Sequence, residues 1–214
     1  VNATGHPAPR HWISGRIPTG KDAHPVIFVN RADVRAFLGW LSAQDGGRVY
    51  RLPTTAEFEY AAAGGAADRR HPWGDEPPAG RANFDPQGDR PFNRWMDFLQ
   101  PAKAGPANAL GLHGMAGNVW QLVITRADPA IATFKYRIED AALLENAVMG
   151  GSWARTADYL RRGASEGVQP GSRYPDVGFR PVRAPAGNDW RVRPRRLSAV
   201  AQGAKGILLS WSML

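Results

Sequence analysis

The sequence predicts a loop-rich α+β fold with two main helices and short antiparallel strands, and three observations carry that prediction. The 214 residues include 24 glycines and 18 prolines; two segments carry complete helix signatures; and the strand-like runs are short and separated by long stretches without periodicity. Glycine supplies positive φ and proline fixes φ near about −65°, so this content of both marks many turns between short elements. A hydrophobic fraction of 43%, eight tryptophans and 21% charged residues give the balance of a globular chain, long enough to bury a core without covalent staples.

Each element follows from local pattern. Residues 1–20 are punctuated by Pro, Gly and His and are expected as irregular loop. The apolar run from His24 to Val29 suits a buried extended segment, and Asn30 after it is a good helix cap. Val34, Phe37, Leu38 and Leu41 then recur at helical spacing, which predicts an amphipathic helix over residues 31 to about 44, stopped by Gly46-Gly47. Thr54 and Glu57 stand at capping-box spacing after Pro53, with Phe58, Ala61 and Ala62 on one face, so a second helix begins there and ends at Gly64-Gly65. Residues 71–117 show no sustained period and are expected as ordered loops pinned by buried polar side chains or a bound cation. Strands are expected within 119–125, 148–153 and 178–182. From Ala184 the composition changes: Arg191, Arg193, Arg195 and Arg196 cluster beside Trp190, and residues 207–214 are nearly all apolar.

Charge and cysteine content bound the chemistry. A formal net charge of +8 suits an anionic partner. Arginine is spread through nearly every segment, however, and no aromatic-basic platform is present, so no nucleic-acid partner is expected. The chain has no cysteine, which removes disulfides, thiolate metal sites and cysteine nucleophiles together. No apolar run reaches the ~20 residues that span a bilayer. The compartment is left open, a periplasmic or extracellular one included if a leader is removed.

Four ordered stretches carry a family resemblance. They are Arg51-Leu52-Pro53-Thr54-Thr55-Ala56-Glu57-Phe58-Glu59-Tyr60-Ala61-Ala62; Pro72-Trp73-Gly74-Asp75-Glu76 with Ala82-Asn83-Phe84; Gly111-Leu112-His113-Gly114-Met115-Ala116-Gly117-Asn118-Val119-Trp120; and Gly150-Gly151-Ser152-Trp153 leading to Gly178-Phe179-Arg180. Together they resemble the formylglycine-generating enzyme or sulfatase-modifying-factor family, whose fold is a variant of the C-type lectin fold. The resemblance covers residues 1–183 and leaves 184–214 as a basic, then apolar, C-terminal extension. Members usually begin with strands and a helix ahead of this point, and Val1-Asn2-Ala3-Thr4-Gly5-His6 resembles the end of that helix. The expectation is therefore that a second chain or an upstream piece of the same gene product completes the domain.

The resemblance also frames the chemistry. Enzymes of the family oxidise a substrate cysteine with two cysteines that hold copper, placed after Gly-Gly-Ser. The corresponding stretch here runs from Trp153 to Leu160 and contains no thiol. Arg155 within it is permanently cationic and has no lone pair to offer a metal. Formylglycine generation is thereby excluded and no copper is expected. An oxidoreductase of altered chemistry, with iron or copper completed by a partner chain, is the rival. His6, His11, His24, His71 and His113 show no local metal spacing in its favour. Calcium is a possible cofactor, since the family's loop ligands match the Asn83 side chain, the Phe84 carbonyl, the Asp97 carboxylate and the Leu99 carbonyl. A second family calcium set is broken by Gly114 and Gln121.

Asp75-Glu76 is expected as a turn, Trp73 and Trp120 as core, and Trp153 as exposed at the site. The segment 154–176 replaces the family's active-site groove. Its mixture of Arg155, Asp158, Tyr159, Arg161, Arg162, Glu166, Arg173, Tyr174 and Asp176, beside Trp153, suits protein recognition. The function expected is a non-catalytic binding module, a protein-binding subunit of a larger assembly. A diversity-generating-retroelement variable protein is a further alternative, against which the long tail argues. That tail is expected to dock on a partner or an anionic membrane face.

Overall fold

A computed structural model describes residues 1–46, 48–65, 69–125, 147–184, 196–201 and 207–212. Its helices form where their caps are. Helix α1, Arg31–Gln44, starts at Asn30, whose side chain accepts the Asp33 N–H at 3.0 Å while the Asp33 carboxylate accepts the Asn30 N–H at 3.0 Å. Two orphan donors are satisfied reciprocally in this way. Val34 and Leu38 are buried, whereas Phe37 is 42% exposed and faces away from the core.

Helix α2, Thr55–Ala62, repeats the device with Thr54 and Glu57. Glu57 does more than cap. Its carboxylate, 5% exposed, also receives both ends of the Arg51 guanidinium at 2.6 and 2.7 Å, which ties strand β1, Val49–Arg51, to the start of α2. A single turn, α3, Trp95–Phe98, follows a 3-10 turn at Phe92–Arg94.

Among the described residues, two four-stranded sheets organise the rest. In one, β2 (Trp120–Leu122), β3 (Ala147–Met149), β4 (Ser165–Gly167) and β5 (Val177–Phe179) lie in the order β4-β3-β2-β5. The other has the order β1-β6-β8-β7, where β6 is Val182–Ala184, β7 Arg196–Ala201 and β8 Ile207–Ser212. The short strands pair antiparallel, as expected, in β1–β6, β2–β3, β3–β4 and β7–β8; in addition β2 pairs with β5 in parallel, Gln121 opposite Gly178, and β6 with β8 in parallel, Val182 opposite Leu209. Long intervening connections make such crossovers possible. The single strand expected at 178–182 is in fact two, split between the sheets at Arg180-Pro181, where proline has no N–H to give a ladder. Strand β8 adds the apolar end of the tail to the domain's own sheet, while Trp190, Arg191, Arg193 and Arg195 lie outside the described residues.

Among the described residues the core has three parts. Phe58, Ala61 and Ala62 of α2 pack with Leu112, Met115, Val123 and Met149; Val34 and Leu38 of α1 pack with Tyr50, Trp120, Leu122 and Val148; and Ile27, Phe28, Leu99, Val119 and Trp153 form the third. Buried polar side chains pin the loops between them. The Asn118 amide accepts from Asn83 Nδ2 at 3.1 Å and Gln100 N–H at 3.0 Å and donates to the Gln100 carbonyl at 2.9 Å. The buried Asp85 carboxylate accepts three backbone N–H groups, from Gln87, Gly88 and Arg90. These loop backbone donors find partners without leaving the protein. Gly117 is needed at one such crossing, since its φ is 77° and a Cβ there would lie 2.5 Å from the Asn83 carbonyl oxygen.

Candidate functional site

The candidate site begins where β3 ends. Gly151 has φ 74°, and a Cβ there would come within 2.8 Å of the Tyr159 carbonyl oxygen, so the chain after it folds back tightly on residues 159–160. Ser152 is fully buried and its hydroxyl donates to Asp176 Oδ2 at 2.8 Å. Trp153 is 0% exposed, which corrects the expectation that it lines an open surface. Phe98 stacks on the indole with ring centres 5.5 Å apart, Phe92 covers it at 5.7 Å, and the indole N–H donates to the Pro175 carbonyl. Phe92 and Phe98, six residues apart, are the sequence signal of this cover. Trp120 is buried as expected, but Trp73 is only partly so and stacks on His71 at 5.0 Å.

Arg155 comes next and carries the site's charge. Its guanidinium grips Glu166 through Nε at 3.2 Å and Nη2 at 2.9 Å, and its carbon lies 5.7 Å from the Phe92 ring centre and 5.9 Å from that of Tyr159. Burial lowers the Arg155 pKa, but Glu166, Asp176 and Tyr159 together raise it by more, so the group is fixed as a cation. Asp176, also buried, behaves in the opposite sense. Its removal from water pushes the carboxyl above its ordinary value despite the Ser152 hydroxyl and the nearby Arg155 charge. Tyr159 packs edge-on to Trp120 at 5.9 Å, and Leu160 is buried.

The expected site residues thus divide into groups. Arg155 and Tyr159 come together, joined by Glu166 and Phe92. Trp153 and Asp176 are interior and hold the loop from beneath. Asp158 and Arg162 are exposed on the outer side, with Asp158 3.7 Å from Arg161. Arg173 and Tyr174 are directed elsewhere: the Arg173 guanidinium grips Asp33 at the start of α1 at 2.7 and 2.9 Å, and Tyr174 packs on the cluster around α1 and accepts the Phe28 N–H at its carbonyl.

The side chains of the calcium set are engaged by arginines as arranged. The Asn83 Oδ1 accepts from Arg90 Nη1 at 3.1 Å, and the same guanidinium donates to the Trp153 carbonyl and lies over the Phe98 ring. Asp97, on the exposed face of α3, is held by Arg94 Nε at 2.7 Å. Asn83 Oδ1 and Asp97 Oδ2 therefore face guanidinium groups, whose charge disfavours a divalent cation at those two atoms. Phe84 is half-buried and Leu99 buried, with its N–H on the Trp95 carbonyl. The second set likewise meets an arginine, since Arg180 donates to Gln121 Oε1 at 2.9 Å and to the His113 carbonyl at 2.8 Å. Burial lowers the Arg180 pKa to about 10, which leaves it charged at neutral pH. Copper fits no better, because no thiol is present and Arg155 has no donor pair. Among the described residues no group of three or more His, Cys, Asp or Glu is placed to hold a metal ion. Four histidines have separate polar partners: His6 on Asp33, His24 on Lys21, His71 on Gly74 and His113 on Gly105. His11 sits among Trp12, Phe28 and Trp95.

Residues 3–185 match the family model described as the Sulfatase-modifying factor enzyme 1-like domain. The chain belongs to that family. It is 32% identical over 209 residues to the Formylglycine-generating enzyme of Mycobacterium tuberculosis, covering 81% of this chain and 65% of that protein. It is 30% identical over 165 residues to the Inactive C-alpha-formylglycine-generating enzyme 2 of Bos taurus, covering 73% of this chain and 49% of that protein. With the Streptomyces coelicolor Formylglycine-generating enzyme, of which it covers 32%, the chain spans between about a third and two thirds of these curated relatives. Among solved structures, PvdO from Pseudomonas aeruginosa aligns with TM-score 0.57 at 27% identity over 74% of this chain and 61% of that one. Treponema denticola variable protein 1 aligns with TM-score 0.60 at 23% identity over 82% and 77%, a likeness of fold alone. In this member of the sulfatase-modifying factor family, the stretch that the resemblance assigns to the copper-holding cysteines is thus filled by an ion pair and by core.

Proposed function

We propose that this domain is a non-catalytic member of its family that binds a protein through the surface around Arg155, Asp158, Tyr159 and Arg162. The observation that carries the reading is the Arg155–Glu166 pair, lying where redox chemistry would need thiols. A guanidinium held by a carboxylate and flanked by Phe92 and Tyr159 offers no electrons and no open coordination position. It does offer a rigid cationic and aromatic patch, the composition enriched at the energetic centres of protein interfaces. The buried Trp153 and the Ser152–Asp176 hydrogen bond hold this patch from below, which limits the ordering cost of binding. Relatives named as inactive formylglycine-generating enzymes, in Bos taurus and Mus musculus, support a non-catalytic use of the family fold.

The test is isolation of the intact gene product with its bound partner, followed by charge reversal of the exposed rim. Asp158→Arg combined with Arg162→Glu leaves the circular dichroism spectrum unchanged and lowers recovery of the partner at least roughly tenfold, the scale of an interfacial charge contact. Undiminished recovery by the folded double variant would place the binding surface elsewhere.

A further inference from the structure

Among the described residues strand β4 stands at the end of its sheet, and the phase of the ladder shows which of its backbone groups are left over. The Val123 N–H donates to the Ala147 carbonyl at 3.0 Å, so Ala147 turns its polar groups toward β2. Backbone groups alternate in direction along a strand, which turns those of Val148 toward β4. Val148 stands opposite Glu166, and Glu166 therefore gives its N–H and carbonyl to β3. Its neighbours Ser165 and Gly167 point theirs the other way, where neither makes a backbone hydrogen bond among the described residues. Gly167 is exposed and Ser165 half-buried. Two N–H and two C=O groups, spaced two residues or about 6.8 Å apart along one line, form a template that another extended backbone matches in full.

Devices that keep an edge from pairing include proline, lysine, a bulge or an unmatched charge. Residues 165–167 carry no proline or lysine, their register with β3 is continuous, and the one charge, on Glu166, is matched by Arg155. The edge also adjoins the Arg155 patch. The side chain standing opposite Glu166 on an added strand falls beside the guanidinium that Glu166 grips, so backbone and patch are engaged together. A second copy of the chain is disfavoured, because antiparallel pairing of β4 with itself sets Glu166 against Glu166, a like-charge pair. We propose that β4 receives an extended segment of a protein partner as an added strand, hydrogen-bonded to Ser165 and Gly167. The inference rests on the reading that the domain binds a protein around Arg155, and it specifies the mode: through the partner's backbone as well as its side chains.

The probe is a linear peptide of roughly ten residues, enough to overrun the edge at both ends, selected from a random displayed library on the intact gene product. Its backbone amides are methylated one at a time. An added strand offers alternate N–H groups to β4, so within the docked segment methylation lowers affinity at least roughly tenfold at every second position and little between them, the loss of one or two hydrogen bonds. On the protein, Gly167→Pro removes an outward N–H and lowers affinity by a similar factor at an unchanged melting temperature, while Gly167→Ala keeps the N–H and the affinity. Ser165→Pro takes its place if Gly167→Pro does not fold. A methylation scan without the two-residue period overturns the proposal. So does full affinity for the folded proline variant, a library that yields no binder, or a dimer of the gene product that disperses on Gly167→Pro. Asp158→Arg with Arg162→Glu separates this inference from the reading it rests on. A periodic scan that the rim reversal leaves untouched supports the added strand and sinks the Arg155 surface; an aperiodic scan with a sensitive rim does the reverse.

Discussion

Arg155 occupies the position on which the functional argument turns, and its geometry fixes what its loss should do. Removing the guanidinium leaves Glu166 and the buried Asp176 without the nearby positive charge. For a half-buried two-point pair, Arg155→Ala is expected to cost about 1–2 kcal/mol in urea unfolding. Arg155→Lys should recover only part of that, because an ammonium cannot match the carboxylate at two points. Arg90 and Arg94 make a second claim at this scale. With guanidinium groups on the Asn83 and Asp97 oxygens, the melting temperature should be the same in millimolar calcium and in chelator; a calcium-dependent rise abolished by Asp97→Ala would show that the arginines yield to the ion. The sequence names Arg155 and Glu166 as site residues but not their pairing, which spans a turn and a strand. It misplaces Trp153 at the surface because nothing local to Gly-Gly-Ser-Trp says that Phe92 and Phe98, far along the chain, come to cover it.

At the scale of elements, α2 is the part most completely determined by neighbouring residues. Thr54 and Glu57 define its start, and Arg51 converts the cap into a joint with β1. Thr54→Ala should cost about 1 kcal/mol, an ordinary cap loss. Glu57→Ala should cost at least about 3 kcal/mol, because it strands the Arg51 guanidinium in a buried site; chemical denaturation of the two variants separates the effects. Both helices are legible in the sequence because a capping box and a 3.6-residue period are local rules. Strand pairing is not. The parallel register of β2 with β5 joins residues 120 and 177 through close packing of Gly178 under the Val26 carbonyl, and no pattern within either strand announces it. The division of 178–182 between two sheets is partly legible after the fact, in Pro181.

The whole molecule should be acid-sensitive, with a sign that follows from two groups. Burial, reinforced by Arg10, lowers the His11 pKa from 6.5 to about 4, so the fold favours its neutral form. The stability this represents is complete above pH 6.5 and is lost as pH falls toward 4. For Asp33, burial works upward but is outweighed by the hydrogen bonds from Arg173, the Asn30 N–H and His6, which bring its pKa from 3.8 to about 2; its contribution is lost over that lower window. Asp176, raised by burial, opposes both, because its fold prefers the protonated acid. Thermal melting should therefore fall between pH 6.5 and 4, and His11→Phe, whose ring suits the Phe28–Trp95 cluster, should flatten that slope; an unchanged slope would assign it to other groups. Four ordered motifs made the family legible at this scale, since they bring distant loops to one core. What the Arg155 surface meets was not legible, because recognition surfaces are defined by their counterparts and not by local pattern. The measurement that tests the central claim most directly is incubation of the purified gene product with copper, oxygen and a cysteine-bearing peptide, followed by aldehyde trapping and mass spectrometry. The ion-paired, thiol-free site predicts a peptide that keeps its cysteine; a trapped aldehyde above the protein-free control would contradict it.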